Sequence, residues 1–348
     1  MRKSDGLYEY TGCVHIHTTA SDGTKGIEEI AAIAADLGLD FALIADHMTL
    51  KNRHENKEGY FGDTLVLVGY EHNDVDDCHH YLLFESDDVL PADLTAAEYV
   101  ALGKKQGALG IIAHPDEIRP RHGKYPSFPW NDWNVDGFDG IEIWNQMSEW
   151  MEKLGTENNL KMLFSPRSSL TSPTDRILER WDTLNRSRKI AGIASVDAHA
   201  FAHKIGPLRI IIFPYKVQFK SLRTHLLLDE PLARELAAAK RQFYQAIRNC
   251  RIFVSNYRHG DASGFRFQAT RPGQKVTIGG NLEFGPNTTI TVRTPRSALI
   301  RLIRDGRPVL EAKGDEIEYP ADREGLYRVE AYRKKKGWIF SNHIRIGP

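Results

Sequence analysis

Through the first 255 residues the apolar positions come mostly as short unbroken runs rather than in strict alternation. The runs are CVHIH (13–17), DFALIAD (40–46), TLVLVGYE (64–71), YLLF (81–84), LGIIAH (109–114), GIEIWN (140–145), AGIASVD (191–197) and LRIIIF (208–213). A continuous run suits a strand covered on both faces, as in a parallel sheet or barrel. Between the runs the period becomes helical. In GIEEIAAIAADLG, residues Ile27, Ile30, Ala31, Ala34 and Leu37 recur at helical spacing, and Gly38 closes the helix. Further helices are predicted at 94–106, 173–184, 217–228 and 232–249. Strand–helix alternation over this length predicts an α/β barrel of seven or eight units.

After residue 255 the pattern changes. Gly and Pro punctuate short alternating runs: KVTIGG, TTITVRT, ALIRLIR, PVLEA, EIEYP, GLYRVEAYR and WIFSNHIRI. In GLYRVEAYR, Leu326, Arg328, Glu330 and Tyr332 would face one way and Tyr327, Val329 and Ala331 the other. Asp305-Gly306 between two such runs predicts a two-residue hairpin. The expected organisation is therefore two domains, an α/β barrel over 1–255 and a small all-β sandwich over 256–348.

Composition narrows the class of protein. Lys+Arg and Asp+Glu both number 46 in 348 residues, so the formal net charge is zero. A stable partnership with long nucleic acid, which rests on many cationic contacts, is not expected. Cys13, Cys78 and Cys250 are far apart and odd in number, which argues against a disulfide framework. The N-terminus MRKSDGLYEY lacks the apolar stretch of a signal peptide, and no membrane span is expected. The expectation is a cytoplasmic protein, with homo-oligomers left open.

The 14 histidines are more telling, because many stand at the ends of apolar runs. His15 and His17, two apart in a strand, would project together, at the end of a barrel strand where such folds carry their sites. Asp46-His47, Glu71-His72, His114-Pro115-Asp116 and Asp197-Ala198-His199 close four further runs, and His79-His80 precedes YLLF. Burying so many imidazoles and carboxylates together is costly without cations to satisfy them. The pattern predicts a metal centre. His/carboxylate sets suit zinc, manganese or iron. There is no GxSxG or P-loop pattern to suggest another chemistry.

HIHTTASDG (15–23), IADH (44–47), GYE (69–71), HYLLF (80–84), AHP (113–115) and SVDAH (195–199) resemble the motifs of the PHP (polymerase and histidinol phosphatase) family, in order and rough spacing. The likeness spans about residues 10–255. It implies a distorted (β/α)7 barrel with two or three divalent metal ions (Zn, Mn or Fe). It also implies their ligands: His15, His17, Asp197 and Glu71 for a first ion; Glu71, His80 and His114 for a second; Asp22, His47 and His199 for a third. His80 is preferred to His79 because it directly precedes YLLF, and alternation turns His72 away from Glu71. The stretches IIFPYKVQF, AIRNCRIFVSN and GLYRVEAYRKKKGWIFSN are similar to carbaryl-hydrolase-type metallohydrolases of the same group, which add a C-terminal immunoglobulin-like domain.

The function implied is that of a metal-dependent hydrolase. The first reading is a phosphoesterase acting on a phosphomonoester, nucleotide or short oligonucleotide through a metal-bridging hydroxide. Glu71, Asp197 and His199 would form its catalytic centre. The loop IRPRHGKYPSFPWNDW (118–133) follows the His114 strand, and its Arg119, Arg121, His122 and Lys124 would cradle phosphate oxygens. His203 is a further candidate substrate ligand. Two alternatives stand beside this reading: hydrolysis of carboxylic or carbamic esters by the same metals, and a non-catalytic module that metals hold together.

Overall fold

The structure, a computed structural model, describes residues 2–119, 126–154, 162, 164–205, 208–211 and 213–347. It is a mixed α/β protein made of two compact units. One comprises Gly12–Thr171 with Ala194–Arg223; the other comprises Met1–Thr11, Ser172–Ile193 and Thr224–Pro348. The expected boundary at 255/256 falls inside the second of these.

The first unit is built on a twisted sheet of buried strands. Residues Gly12–Ile16 of the strand Leu7–Ile16 run parallel to Phe41–His47, which runs parallel to Thr64–Asn73. The direction then reverses. Thr64–Asn73 is antiparallel to His80–Phe84, and that strand is antiparallel to Leu109–Ile112. Leu109–Ile112 is parallel to Gly140–Asn145. On the other flank, Ile16 bridges Ala198 in parallel.

The reversal has a simple cause. Only residues 74–79 join two strands, and a parallel crossover needs roughly a dozen residues or more. Among the described residues the hydrogen-bond ladder does not close into a ring, so the all-parallel barrel expected from the apolar runs is here an open mixed sheet. The predicted helices at 26–38 and 94–106 are present as Ile27–Asp36 and Ala96–Lys105. In the second, the Glu98 carboxylate reaches back to accept from the Thr95 main-chain N–H (2.9 Å) and hydroxyl (2.7 Å) at the helix start.

Two stretches differ from expectation. Residues 217–228, read as a helix, include only the last two residues of the short helix Tyr215–Gln218, and Leu222–Leu228 is a strand buried along its whole length. In LRTHLLL the polar Arg223, Thr224 and His225 interrupt the apolar positions, so neither a helical period nor strict alternation is legible and the surroundings decide for a strand. LRIIIF does not form a sheet strand of the first unit. Its Leu208–Ile211 pairs antiparallel with Ala202–Ile205 in a separate two-stranded ribbon.

In the second unit the C-terminal strands are mainly antiparallel. TTITVRT and ALIRLIR are one long strand, Thr289–Arg304, whose register shifts between Arg293 and Ala298. It returns through Asp305 (φ 51°) and Gly306 (φ 85°) into Arg307–Pro320, the two left-handed residues of the predicted hairpin turn. Phe267, Ile290, Val292, Ile300, Leu302, Tyr327, Val329 and Trp338 form the core beneath.

Alternation in Gly325–Arg333 is as expected, but both faces are covered. Tyr327, Val329 and Ala331 enter the core, while Arg328 and Glu330 are buried on the other side. Arg328 Nε and Nη2 donate to the two carboxylate oxygens of Asp182 (2.7 and 2.9 Å), and Nη1 donates to Glu330 (2.6 Å). His343 Nε2 adds a contact to Asp182 at 2.7 Å. Burial alone would raise the Asp182 carboxyl, but the hydrogen bonds from His343 and Arg328 outweigh it and hold the carboxyl down at about 2.

A carboxyl depressed in the folded state stabilises fully above its ordinary value of 3.8 and loses that contribution as pH falls towards 2. The shift is worth about 2 kcal/mol. Asp182→Asn is expected to cost roughly 3–5 kcal/mol at neutral pH, because it strands a buried guanidinium. It should also flatten the fall in urea midpoint that the wild type shows on acidification through that window.

Candidate metal centre

All nine predicted ligands lie in the first unit, and they converge on Glu71. Its strand delivers a fully buried carboxylate whose two oxygens face different imidazoles. Oε2 lies 3.0 Å from His15 Nε2, 3.4 Å from His17 Nε2 and 3.2 Å from His47 Nδ1. Oε1 lies 2.9 Å from His80 Nδ1 and 3.1 Å from His114 Nε2. Asp197 Oδ1 sits 3.4 Å from His17 Nε2, 3.5 Å from His199 Nδ1 and 3.7 Å from His15 Nε2. Asp22 Oδ1 faces His199 Nε2 (3.3 Å), His17 Nδ1 (3.7 Å) and His47 Nε2 (3.9 Å).

Three groups of potential ligand atoms are compact enough to hold a metal ion: His15, His17 and Glu71; Glu71, His80 and His114; and His17, Asp22, His47 and His199. His17 Nδ1 and Nε2, His47 Nδ1 and His80 Nε2 are buried without hydrogen-bond partners, a costly state that a cation would relieve. The donor set therefore fits divalent metal ions.

Local structure explains the convergence. Because the strand His80–Phe84 runs opposite to its neighbours, a ligand at its beginning meets ligands from the ends of the parallel strands. This is why His80 precedes its apolar run whereas Glu71 follows its own. His15 does not reach the site by plain alternation. The first strand shifts register between Cys13 and Ile16, and His15 is left-handed at φ 65°. His114 (φ 27°) and Asp197 (φ 50°) are left-handed too, a strain that non-glycine residues carry mostly at functional sites.

The loop bearing Asp22 is fastened by a residue that is not a ligand. Asp46 accepts from Thr18 N (2.6 Å), Thr18 Oγ1 (2.8 Å), Ser21 Oγ (2.8 Å) and Asn52 Nδ2 (3.0 Å). Gly23 completes the turn, since a Cβ there would lie 2.3 Å from the His17 carbonyl oxygen.

The electrostatics are those of a site short of positive charge. Burial and the neighbouring His199 push the His17 imidazole down to about 3, so it stays neutral with one ring nitrogen able to act as a ligand. Burial would lower His80 as well, but Glu71 and Asp77 raise it to about 9. Burial opposes ionisation of Glu71, yet the surrounding His15, His47 and His80 hold it well below the carboxylate range.

Of the two adjacent histidines, His80 faces Glu71, while His79 pairs with Asp74 (2.5 Å) and packs edge-on against Trp130. His72 is buried away from the centre, against Tyr99. Arg119 is the one predicted substrate contact whose side chain is described. Its guanidinium is committed to the buried Glu117 and to the Pro126 carbonyl, and it lies 5.9 Å from the Phe128 ring centroid. Arg121, His122 and Lys124 lie outside the described residues. His203 is placed only as a backbone position in the strand Ala202–Ile205.

Other site residues lie outside the strand-end pattern read from the sequence. Glu142, in the middle of GIEIWN, touches His15 at 2.8 Å. Phe128 stacks on His80 (centroids 4.5 Å apart) and Phe201 on His199 (4.8 Å). The acidic residue inside an apolar strand was the available clue to Glu142.

Fold and site define a mixed α/β protein whose buried histidines and carboxylates are arranged to hold metal ions. No family model matches the chain, and no curated protein does. It is similar to a solved structure of a two-domain protein containing a predicted PHP-like metal-dependent phosphoesterase from Bacteroides vulgatus ATCC 8482, with 13% identity, 97% of this chain and 96% of that chain covered, and a TM-score of 0.46. It is also similar to PsfC from Pseudomonas syringae PB-5123, with 13% identity, 67% and 87% covered, and a TM-score of 0.42. At such identity and overlap the functional reading has to rest on the site's own geometry.

Because Glu71 belongs to two of the three groups, Glu71→Ala is expected to weaken metal binding at both, while His114→Ala weakens one. Elemental analysis after dialysis distinguishes the two outcomes. A raised His80 stabilises the metal-free fold below its ordinary value of 6.5 and stops doing so as pH rises through about 9. Metal uptake near pH 7 should therefore release protons, read by titration calorimetry in buffers of different ionisation enthalpy.

Proposed function

We propose that the chain is a metal-dependent hydrolase, a phosphoesterase of the PHP type acting on a small phosphomonoester, nucleotide or short oligonucleotide. The observation that carries the reading is the division of the Glu71 carboxylate, one oxygen among His15, His17 and His47 and the other between His80 and His114. It supports a bridging carboxylate between two ions, with Asp22, His47 and His199 for a third. The edge formed by Asp22 and His47 is open to solvent, with side chains 43% and 29% exposed. A structural metal site is closed, whereas a catalytic one keeps an accessible position.

Bound divalent ions would supply a water of lowered pKa and neutralise charge on the reacting group. The chain supplies the rest. Glu71 and Asp197 provide buried negative charge that keeps the ligand imidazoles in place. His199 is held in place between the Asp22 carboxylate and the Asp197 carbonyl. The strands fix these groups before substrate arrives, so little reorganisation is needed. Within this reading the mixed sheet is that of a distorted (β/α)7 barrel and the C-terminal strands are an immunoglobulin-like sandwich. Both go with the reading rather than with the observed ladders. No helix among the described residues is long and apolar enough to cross a membrane.

A second reading, hydrolysis of carboxylic or carbamic esters, is favoured by one observation. The groups seen to stack on the ligand histidines are the apolar rings of Phe128 and Phe201, and Arg119 is already paired with Glu117. The test is to purify the protein without chelator, count metals, and assay a phosphomonoester, a phosphodiester and a carboxylic ester. Two or three ions with phosphomonoester turnover are expected; His15→Ala/His17→Ala should lose the turnover and the ions of the groups that contain His15 and His17. Turnover of the carboxylic ester alone would replace the first reading with the second, and absence of metal would remove both. Arg121→Glu/Lys124→Glu is expected to raise KM for the phosphomonoester and to leave that for a neutral ester unchanged.

A further inference from the structure

We infer that Glu142 is the positioning residue that orients His15 for metal binding and ties the His15 group to the His114 group. The inference rests on the metal-site reading above. Glu142 is buried in the strand Gly140–Asn145, and its carboxylate touches no predicted ligand atom that faces Glu71. It works from behind. Oε1 accepts from His15 Nδ1 (2.8 Å), on the side of the ring opposite Nε2, which faces Glu71 and Asp197. Oε2 accepts from the main-chain N–H of His114 (2.7 Å) and from Asn145 Nδ2 (2.8 Å).

His15 and His114 are the two ligand histidines with left-handed backbones, at φ 65° and 27°. Such conformations are costly for non-glycine residues and persist only where the surroundings over-determine them. One carboxylate holds both. Asn145 extends the arrangement: its Nδ2 also lies 3.4 Å from Asp197 Oδ2, and its Oδ1 accepts from Ser148 N (2.9 Å) at the start of the helix Gln146–Lys153.

The chemical consequence is specific. An ionised carboxylate only accepts, so the hydrogen of a neutral His15 must sit on Nδ1. The lone pair is then on Nε2, directed at the centre. A histidine ligand whose other nitrogen donates to a carboxylate is fixed in tautomer and in ring plane. Replacing Glu142 by Gln offers one acceptor and one donor where two acceptors stood. The main-chain N–H of His114 cannot move its proton, whereas an imidazole can. The amide oxygen therefore serves His114 and Asn145, the amide NH2 faces His15 Nδ1, and His15 moves its hydrogen to Nε2. Its ligand lone pair is lost while the His114 group stays intact.

The test compares wild type, Glu142→Gln and Glu142→Asp in zinc titrations against a competing chelator, with long-range 1H–15N spectra of the histidine rings. The expected wild-type spectrum has His15 protonated at Nδ1 and metallated through Nε2. Glu142→Gln is expected to lose about 10- to 100-fold in affinity at the His15 group, with a His15 Nε2–H signal and near wild-type affinity at the Glu71–His80–His114 group. Glu142→Asp, which keeps the acceptors, should retain the Nδ1–H tautomer and recover much of the affinity. A Gln variant that binds zinc like wild type, or that loses both groups equally with His15 still protonated at Nδ1, overturns the inference. So does a wild-type His15 metallated through Nδ1, whether or not the Gln variant folds. A wild type that binds no zinc overturns the metal reading itself.

Discussion

A single buried carboxylate, Glu71, stands among five imidazoles, and most of the features of the first unit serve that placement. A carboxylate loses far more by burial than it regains from one neutral partner. Glu71 is tolerated because histidines surround it on both oxygens. They are tolerated in turn because Glu71, Asp197 and Asp22 supply the opposite charge. Remove the cations such a site is built for, and the balance has to be kept by protons, as the raised His15, His80 and His199 and the depressed Glu71 and Asp197 show. The network compact enough to hold metal thus remains neutralised without it, through imidazoles that are charged rather than free to ligate.

The sheet makes this concentration of polar groups possible by delivering each from a rigid, apolar strand. Val66, Leu67, Val68 and Tyr70 bury the body of the strand whose end carries Glu71, and Ala42, Leu43 and Ile44 do so for the strand that ends at His47. The antiparallel insertion of His80–Phe84 adds a ligand from the opposite direction. That reversal allows ligands to approach the second oxygen of Glu71 rather than crowd the first. Left-handed residues at His15, His114 and Asp197 then set the final aim. The apolar body of the sheet supplies stability, and the strained ends use it.

In the second unit a buried charge is handled differently. Asp182 is paired with Arg328 through two parallel hydrogen bonds and with His343 through one, and Arg328 also meets Glu330. Here every charge has a partner within the chain, and nothing about the cluster calls for an ion. Comparing the two clusters gives a practical criterion for a ligand site. At the Glu71 centre donors from several strands converge on shared points, whereas the Asp182 carboxylate is matched by a guanidinium, and His343 Nδ1 is the buried nitrogen left without a partner among the described residues there.

The candidate ligands were legible in the sequence because they stand at strand ends, where a polar residue interrupts an apolar run. His15, His17, His47, Glu71, His80, His114, Asp197 and His199 all carry that mark, and Asp22 follows in the adjoining SDG turn. Binary pattern also determined the presence of most strands, the Asp305-Gly306 turn and the burial of Tyr327, Val329 and Ala331. Tertiary structure decided what local pattern does not encode. Strand direction around His80 depends on the length of a connection, and the strand at 222–228 depends on neighbours that bury both its faces. The link from Glu142 to His15 joins residues far apart in the chain. Its energy arises only when folding removes water from both, because a hydrogen bond to a buried carboxylate is worth most where no solvent competes for it.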